Sequence, residues 1–118
     1  MIKAQVRRTD AGDVESFTIV GHAGYAERGQ DIVCAAVSGI SFGAINAIHS
    51  LLDVELGVEQ GKDGYLRCLV PHFEDVETHQ RVQLLLDGMI ASLQSVAFEY
   101  GQFVSINDQN NTRRWTSC

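Results

Sequence analysis

DIVCAAVSGISFGAINAIHSLL, Asp31 to Leu52, decides the fold. Ile40, Ala44, Ala47, Ile48, Leu51 and Leu52 recur at helical spacing, and Asp31 stands where an N-cap carboxylate would meet the first N–H groups. The spacing predicts one long helix, with Gly57 as its terminator. Its upper part is made of small residues: Ala35, Ala36, Ser38, Gly39, Gly43 and Ala44. Side chains of this size let another backbone approach closely. Gly39 and Gly43 each weaken the helix by up to ~1 kcal/mol relative to Ala, so packing has to compensate.

Working outward, Ile2, Ala4 and Val6 alternate with polar residues, as do Phe17 and Ile19 within Glu15 to Val20. With turn chemistry at Thr9 to Asp13 between them, the two read as a β-hairpin. Gly21 to Gln30 holds three glycines, breaks every period and reads as a mobile loop. Val54 to Glu59 and Tyr65 to Val70 read as strands around Gly61-Lys62-Asp63-Gly64, and Pro71 stops the second. Acidic residues from Glu74 to Glu77 mark a helix start. Val82, Leu85, Leu86, Met89, Ile90, Leu93, Val96, Ala97 and Tyr100 form a wide apolar stripe. Gly101 is the expected C′ residue, and Phe103, Val104 and Ile106 suggest a last strand. The order is ββαββαβ. The fold class is α+β, with two helices packed on a mostly antiparallel sheet. Residues 1–107 are expected to form a single domain, and 108–118 a polar tail, either disordered or folded over a neighbour.

Composition narrows the function. At 118 residues, 45% hydrophobic and 20% charged, the chain can bury one core. A net charge of −6 argues against a nucleic-acid partner, which calls for a basic patch. MIKAQVRR lacks the apolar centre of a signal peptide, and no apolar run approaches the ~18 residues of a bilayer span. No membrane partner and a cytoplasmic location are therefore expected. Cys34, Cys68 and Cys118 are odd in number and contain no C-x-x-C, so free thiols are expected. His49, His72 and His79 lack ligand spacing with a cysteine, so neither metal nor cofactor is expected. A P-loop motif is absent. A cysteine phosphatase would need arginine six positions beyond Cys34, where Ile40 stands.

The chemistry concentrates in GHAGYAERGQDIVC, Gly21 to Cys34. With the cap at Asp31, Cys34 falls in the first helical turn, near unsatisfied N–H groups and the positive end of the dipole. Both favour a reactive sulfur, and the same N–H groups could hold an oxyanion. His22 lies twelve positions earlier, and a glycine-rich loop of that length can return imidazole to thiol. Asp31 either caps the helix or orients His22, with capping favoured. Ser38 lies one turn beyond Cys34, as a hydrogen-bond partner or as a small residue that leaves room. Pattern alone favours a buried structural cysteine, because Ile32 to Val37 is an apolar run. Cys68 alternates with Leu66 and Val70 and reads as core.

Gly21-His22-Ala23, then Asp31-Ile32-Val33-Cys34-Ala35-Ala36 with Ser38, resembles the ribosomal-processing cysteine protease family (Prp). The resemblance extends over nearly the whole chain, including Ser41 to Ile48 and the long second helix. It reverses the odds on Cys34. It implies a small α+β homodimer of Gram-positive and related bacteria that removes the N-terminal extension of one large-subunit ribosomal protein, the twenty-seventh of the standard series. Cleavage would follow a pair of aromatic residues, just before a basic stretch. The family's catalytic histidine maps onto His22 and its nucleophile onto Cys34. Gly21, Asp31 and Ser38 match supporting positions, with Gly21 as a hinge. The departure is the tail, DQNNTRRWTSC, which touches no motif position. Two rivals remain: a non-catalytic ribosome-associated peptide-binding homodimer, and a structural homodimer built on the small-residue helix.

Overall fold

The computed structural model describes residues 1–108; the stretch 109–118, with Trp115 and Cys118, lies outside the described residues. Seven elements follow in the expected order: β1 (Ile2–Arg8), β2 (Val14–Val20), α1 (Ile32–Leu52), β3 (Gly57–Gln60), β4 (Leu66–Leu69), α2 (Val76–Glu99) and β5 (Val104–Asp108). The fold is α+β, with a five-stranded sheet in the order β3-β4-β2-β1-β5. Its pairings are antiparallel except β1 with β5, which is parallel.

Alternation explains why one face of this sheet is apolar. Ala4 pairs with Ile19, and Val6 with Phe17. Phe17 in turn pairs with Cys68, Ile19 with Leu66, and Ile2 with Val104. All of these side chains are buried and form one core cluster with both helices. The opposite face carries Lys3, Gln5, Arg7, Arg67 and Ser105, which are exposed.

Strand direction then places the helices. The pairings make β2 run with β3 and β4 run with β5. The α1 crossover therefore goes toward the β3 edge, while the α2 crossover goes the other way from an oppositely directed strand. Two right-handed crossovers of this kind land on the same face, which is the apolar one. There α1 and α2 pack on each other.

The helix ends have side-chain causes. Asp31 Oδ1 accepts from the N–H groups of Val33 and Cys34, both at 3.0 Å, so the expected cap is present. At the other end α1 stops at Leu52, short of Gly57. Asp53 adopts a left-handed conformation (φ 53°, ψ 45°) and donates its N–H to the His49 carbonyl. Gly57 instead opens β3, which starts three residues later than the alternation suggests. Residues 53–56 carry the chain from the helix end to the sheet edge. α2 begins after Asp75, whose Oδ2 accepts from the Thr78 N–H and hydroxyl. Val82, Leu86, Met89, Ile90 and Leu93 are its buried row.

One expectation about α1 needs correction. Its best 18-residue window has a mean hydropathy of 1.7, so by length and composition it could cross a membrane. The run escapes notice in the sequence because Gly, Ala and Ser supply much of it and Asn46, His49 and Ser50 interrupt its end. In the fold its Val33, Val37, Ser41 and Ile48 row is buried.

Two buried polar clamps tie the layers together. Arg8 binds both carboxylate oxygens of Asp108 (2.8 and 3.0 Å), Asp87 Oδ1 on α2 (2.9 Å) and the Gly12 carbonyl (2.9 Å). Asp108, where the tail was expected to begin, is thus the last residue of β5 and is held to β1. The β1–β2 register shifts beside Arg8. There the Gln83 side chain accepts from the Val14 N–H (2.7 Å) and donates to the Val14 carbonyl (3.0 Å), supplying both bonds a strand neighbour would give.

Arg8→Met should cost about 3–5 kcal/mol, because it strands two carboxylates in a largely buried site. Arg8→Lys should recover only part of this, since an ammonium cannot reproduce the two-pronged bond to Asp108. Urea denaturation of the three proteins checks both statements.

Candidate functional site

The cap that starts α1 also builds the site. Asp31 Oδ1 holds the first turn, while Oδ2 accepts from the Tyr25 N–H at 3.0 Å. One carboxylate therefore fastens the loop between β2 and α1 onto the helix mouth. The Cys34 N–H, followed by the N–H groups of Tyr25 and Ala26 and the Cys34 thiol, holds this carboxyl below the usual carboxylate range against an opposing effect of burial. The structure shows Asp31 in the capping role and gives no hydrogen bond between it and His22.

Cys34 is half-buried at the third helical position. Its sulfur accepts from the Ala23 N–H at 3.3 Å. Ala23 is buried, while His22 beside it is exposed. The imidazole and the thiol line one open cleft of about 130 Å³ and share no hydrogen bond. Gly21 and Ser38 line the same cleft. Its walls are apolar, from Ile2 and Ile19 on the sheet to Val37 and Phe42 on α1. Thus Gly21, His22, Cys34 and Ser38 come together in space, and Asp31 stands behind Cys34 as an anchor.

From the sequence, the first N–H groups of α1 could hold an oxyanion. In the structure three of them are taken: Val33 and Cys34 donate to the Asp31 carboxylate, and Ala35 donates to the Asp31 carbonyl. The same N–H groups cannot cap and catalyse at once. The loop N–H of Ala23 is the donor that reaches the sulfur.

Gly21 has φ +95°, and a Cβ there would overlap the Met1 carbonyl oxygen. Its N–H donates to the Asp63 carbonyl at 3.0 Å. It is therefore pinned rather than free. Gly24 and Gly29 also have positive φ, and nothing lies within 4 Å of where their Cβ atoms would be, so the loop's freedom lies there. The Tyr25 ring packs edge-on against Tyr100 and Phe103, with centroids 5.8 and 5.3 Å away. Sequence reasoning missed this latch and the cleft residues Ile2, Ile19, Phe42, Gly64 and Leu66. Phe103 and Tyr100 carried only a core signal, since their partner lies about 75 positions away.

Cys68 is fully buried, and burial pushes its thiol up to about 12. Among the described residues no group of three or more His, Cys, Asp or Glu side chains could hold a metal ion.

Two measurements follow. At neutral pH iodoacetamide should label Cys34 and spare Cys68 until the protein is denatured, as read by peptide mass mapping. The stability gap between wild type and Asp31→Asn should be full near neutral pH. A carboxyl held below its ordinary value of 3.8 stabilises the fold above that value. The gap should then close as pH falls below about 4, as protons fill the carboxyl in both states; thermal melts at a series of pH values report it.

Comparison with known proteins fits this geometry. The family profile described as "Cysteine protease Prp" matches residues 1–105. The chain is 43% identical to the Ribosomal processing cysteine protease Prp of Bacillus subtilis over 101 residues, which is 85% of this chain and 90% of that protein. The Staphylococcus aureus protein of the same name is 33% identical over 108 residues, 91% of this chain and 98% of the relative. The crystal structure of the S. aureus protease in complex with a covalently linked product peptide superposes with a TM-score of 0.83 at 31% identity, covering 92% of this chain and all of that one. A half-buried thiol at a helix mouth, an imidazole across an apolar cleft and this likeness along the whole fold agree: the chain belongs to the Prp family of cysteine proteases.

Proposed function

We propose that this protease removes the N-terminal extension of a large-subunit ribosomal protein, with Cys34 as nucleophile and His22 as general base. The observation that carries the reading is the shared cleft. It brings the Cys34 sulfur, the His22 ring and apolar walls into one opening, with the Ala23 N–H on the sulfur. Relatives named for ribosomal processing, and solved relatives holding a substrate peptide and a covalently linked product peptide, support the substrate class.

The steps follow from the groups present. His22 takes the Cys34 proton, and the sulfur attacks the scissile carbonyl. The C–N bond breaks as His22 returns the proton to the leaving amine. Water, deprotonated by His22, then hydrolyses the thioester and restores the thiol. Because ring and thiol share no hydrogen bond at rest, the substrate must draw them together. Gly24 and Gly29 give the loop that freedom, and the Tyr25–Asp31 bond holds its resting position.

The walls from Ile2, Ile19, Phe42 and Leu66 suit an aromatic side chain on the acyl side of the bond. A chain of net charge −6 favours a basic segment beyond it. Ser38, small and one turn above Cys34, leaves the cleft open. A homodimer is part of the same reading: Ile32 and Leu51 on α1, and Leu84 and Phe98 on α2, are exposed apolar side chains that a second copy could cover.

A peptide with the extension's aromatic pair followed by basic residues should be cut after the pair. Cys34→Ala and His22→Ala should each lower kcat by at least about 10⁴-fold, as expected for members of one catalytic unit. Cutting that survives Cys34→Ala sinks the assignment, while binding without turnover by the wild type would favour a peptide-binding module.

A further inference from the structure

The turn between β3 and β4 packs directly under the candidate histidine. Asp63 and Gly64 both have positive φ, 61° and 70°. From this turn the Asp63 carbonyl accepts the Gly21 N–H at 3.0 Å. Gly64 lies so close to Gly21 that a Cβ on it would overlap the Gly21 carbonyl oxygen. The same Cβ would stand 3.6 Å from His22 Cε1. Gly64 also lines the cleft with His22 and Cys34. On its other side Gly21 is wedged against the Met1 carbonyl oxygen. Backbone therefore holds the residue before His22 from two sides, and only glycines permit both approaches.

We infer that Gly64 is a positioning residue: its bare Cα lets the β3–β4 turn seat Gly21 and so fix where the His22 ring meets the Cys34 sulfur. The His22 side chain has no hydrogen-bond partner of its own among the described residues, so its backbone is what aims it. A side chain at position 64 has to displace Gly21 and, with it, His22. His22 is exposed, so its ring can be displaced without disturbing the core, and the damage should fall on the chemistry.

The inference rests on the His22–Cys34 reading above, and the test separates the two. Cleavage kinetics and the pH dependence of Cys34 alkylation are measured for wild type, His22→Ala, Gly64→Ala, Gly64→Asn and Lys62→Ala. Asn tolerates the left-handed backbone but carries a Cβ, so it separates overlap from backbone strain. Both Gly64 variants should lose about 100-fold in kcat, with KM nearly unchanged, as for a misplaced catalytic group. Their alkylation profiles should shift toward that of His22→Ala. Lys62→Ala, on the same turn, should match wild type in both.

If His22→Ala leaves the alkylation profile unchanged, the dyad fails and the inference falls with it. If His22→Ala alters the profile but either Gly64 variant keeps wild-type kcat and profile, the positioning role alone is overturned. Should both Gly64 variants fail to fold, hydrogen exchange on the wild type decides. A Gly21 amide protected like the strand amides of β2 supports the brace, and one that exchanges like an open loop refutes it.

Discussion

A single carboxylate, Asp31, sets the geometry on which the candidate site depends. Its two oxygens face different parts of the chain: one closes the first turn of α1 and the other ties down the loop at Tyr25. Without the first bond, Cys34 sits on a fraying helix end. Without the second, the loop keeps only the Ala23–Cys34 bond and the packing of the Tyr25 ring to return it over the cysteine. Cap and loop clasp are the same residue, so ordering the helix start and ordering the cleft become one event. This also explains why Asp31 lies before the cysteine at capping distance, rather than beside the histidine where a third catalytic member would stand.

The cap imposes a constraint in return. Helix N-termini attract negative charge because their N–H groups are unsatisfied. At α1 those of Val33 and Cys34 are satisfied by Asp31. What remains for the sulfur is the loop, whose Ala23 N–H supplies a local donor. The site is thus assembled from a rigid half, helix and cap, and a half that belongs to a loop with glycines at both free positions. The loop already places its donor on the sulfur, with His22 beside it along the chain.

How much of this could be read from residues alone depends on sequence distance. Capping is local, so Asp31 and the start of α1 were legible, as were the apolar stripe of α2 and the alternation of β1 and β2. The Gly-His and Cys positions were legible as a pair of motif residues, and their joint lining of one cleft follows from the fold. Asp53 misled because aspartate in a left-handed cap looks like one more polar helix residue, while Gly57 offered the stronger stop signal. The burial of Gln83 has no local signal: the register shift at Arg8–Val14 leaves the Val14 N–H and carbonyl without a strand partner, and Gln83 bonds both. Gly64 read correctly as a turn residue, but its neighbour lies more than forty positions away, and no period in the sequence encodes such an approach.

The two clamps also explain why the cleft can open toward solvent without loosening the fold. Arg8 binds β1 to β5 and α2 at one end of the strands, and Gln83 completes the bulge beside it. The cleft lies at the opposite end of β1, by Ile2, and of β2, by Ile19 and Gly21. Layer-to-layer fastening and catalysis are thus separated by the length of a strand. At the fastened end, buried ion pairs forbid movement because any opening would expose unpaired charge to an apolar layer. At the cleft end the small side chains of Cys34 and Ser38 on α1 line the opening together with Val37 and Phe42. On the reading proposed above, an apolar side chain of the substrate would complete the packing at that end.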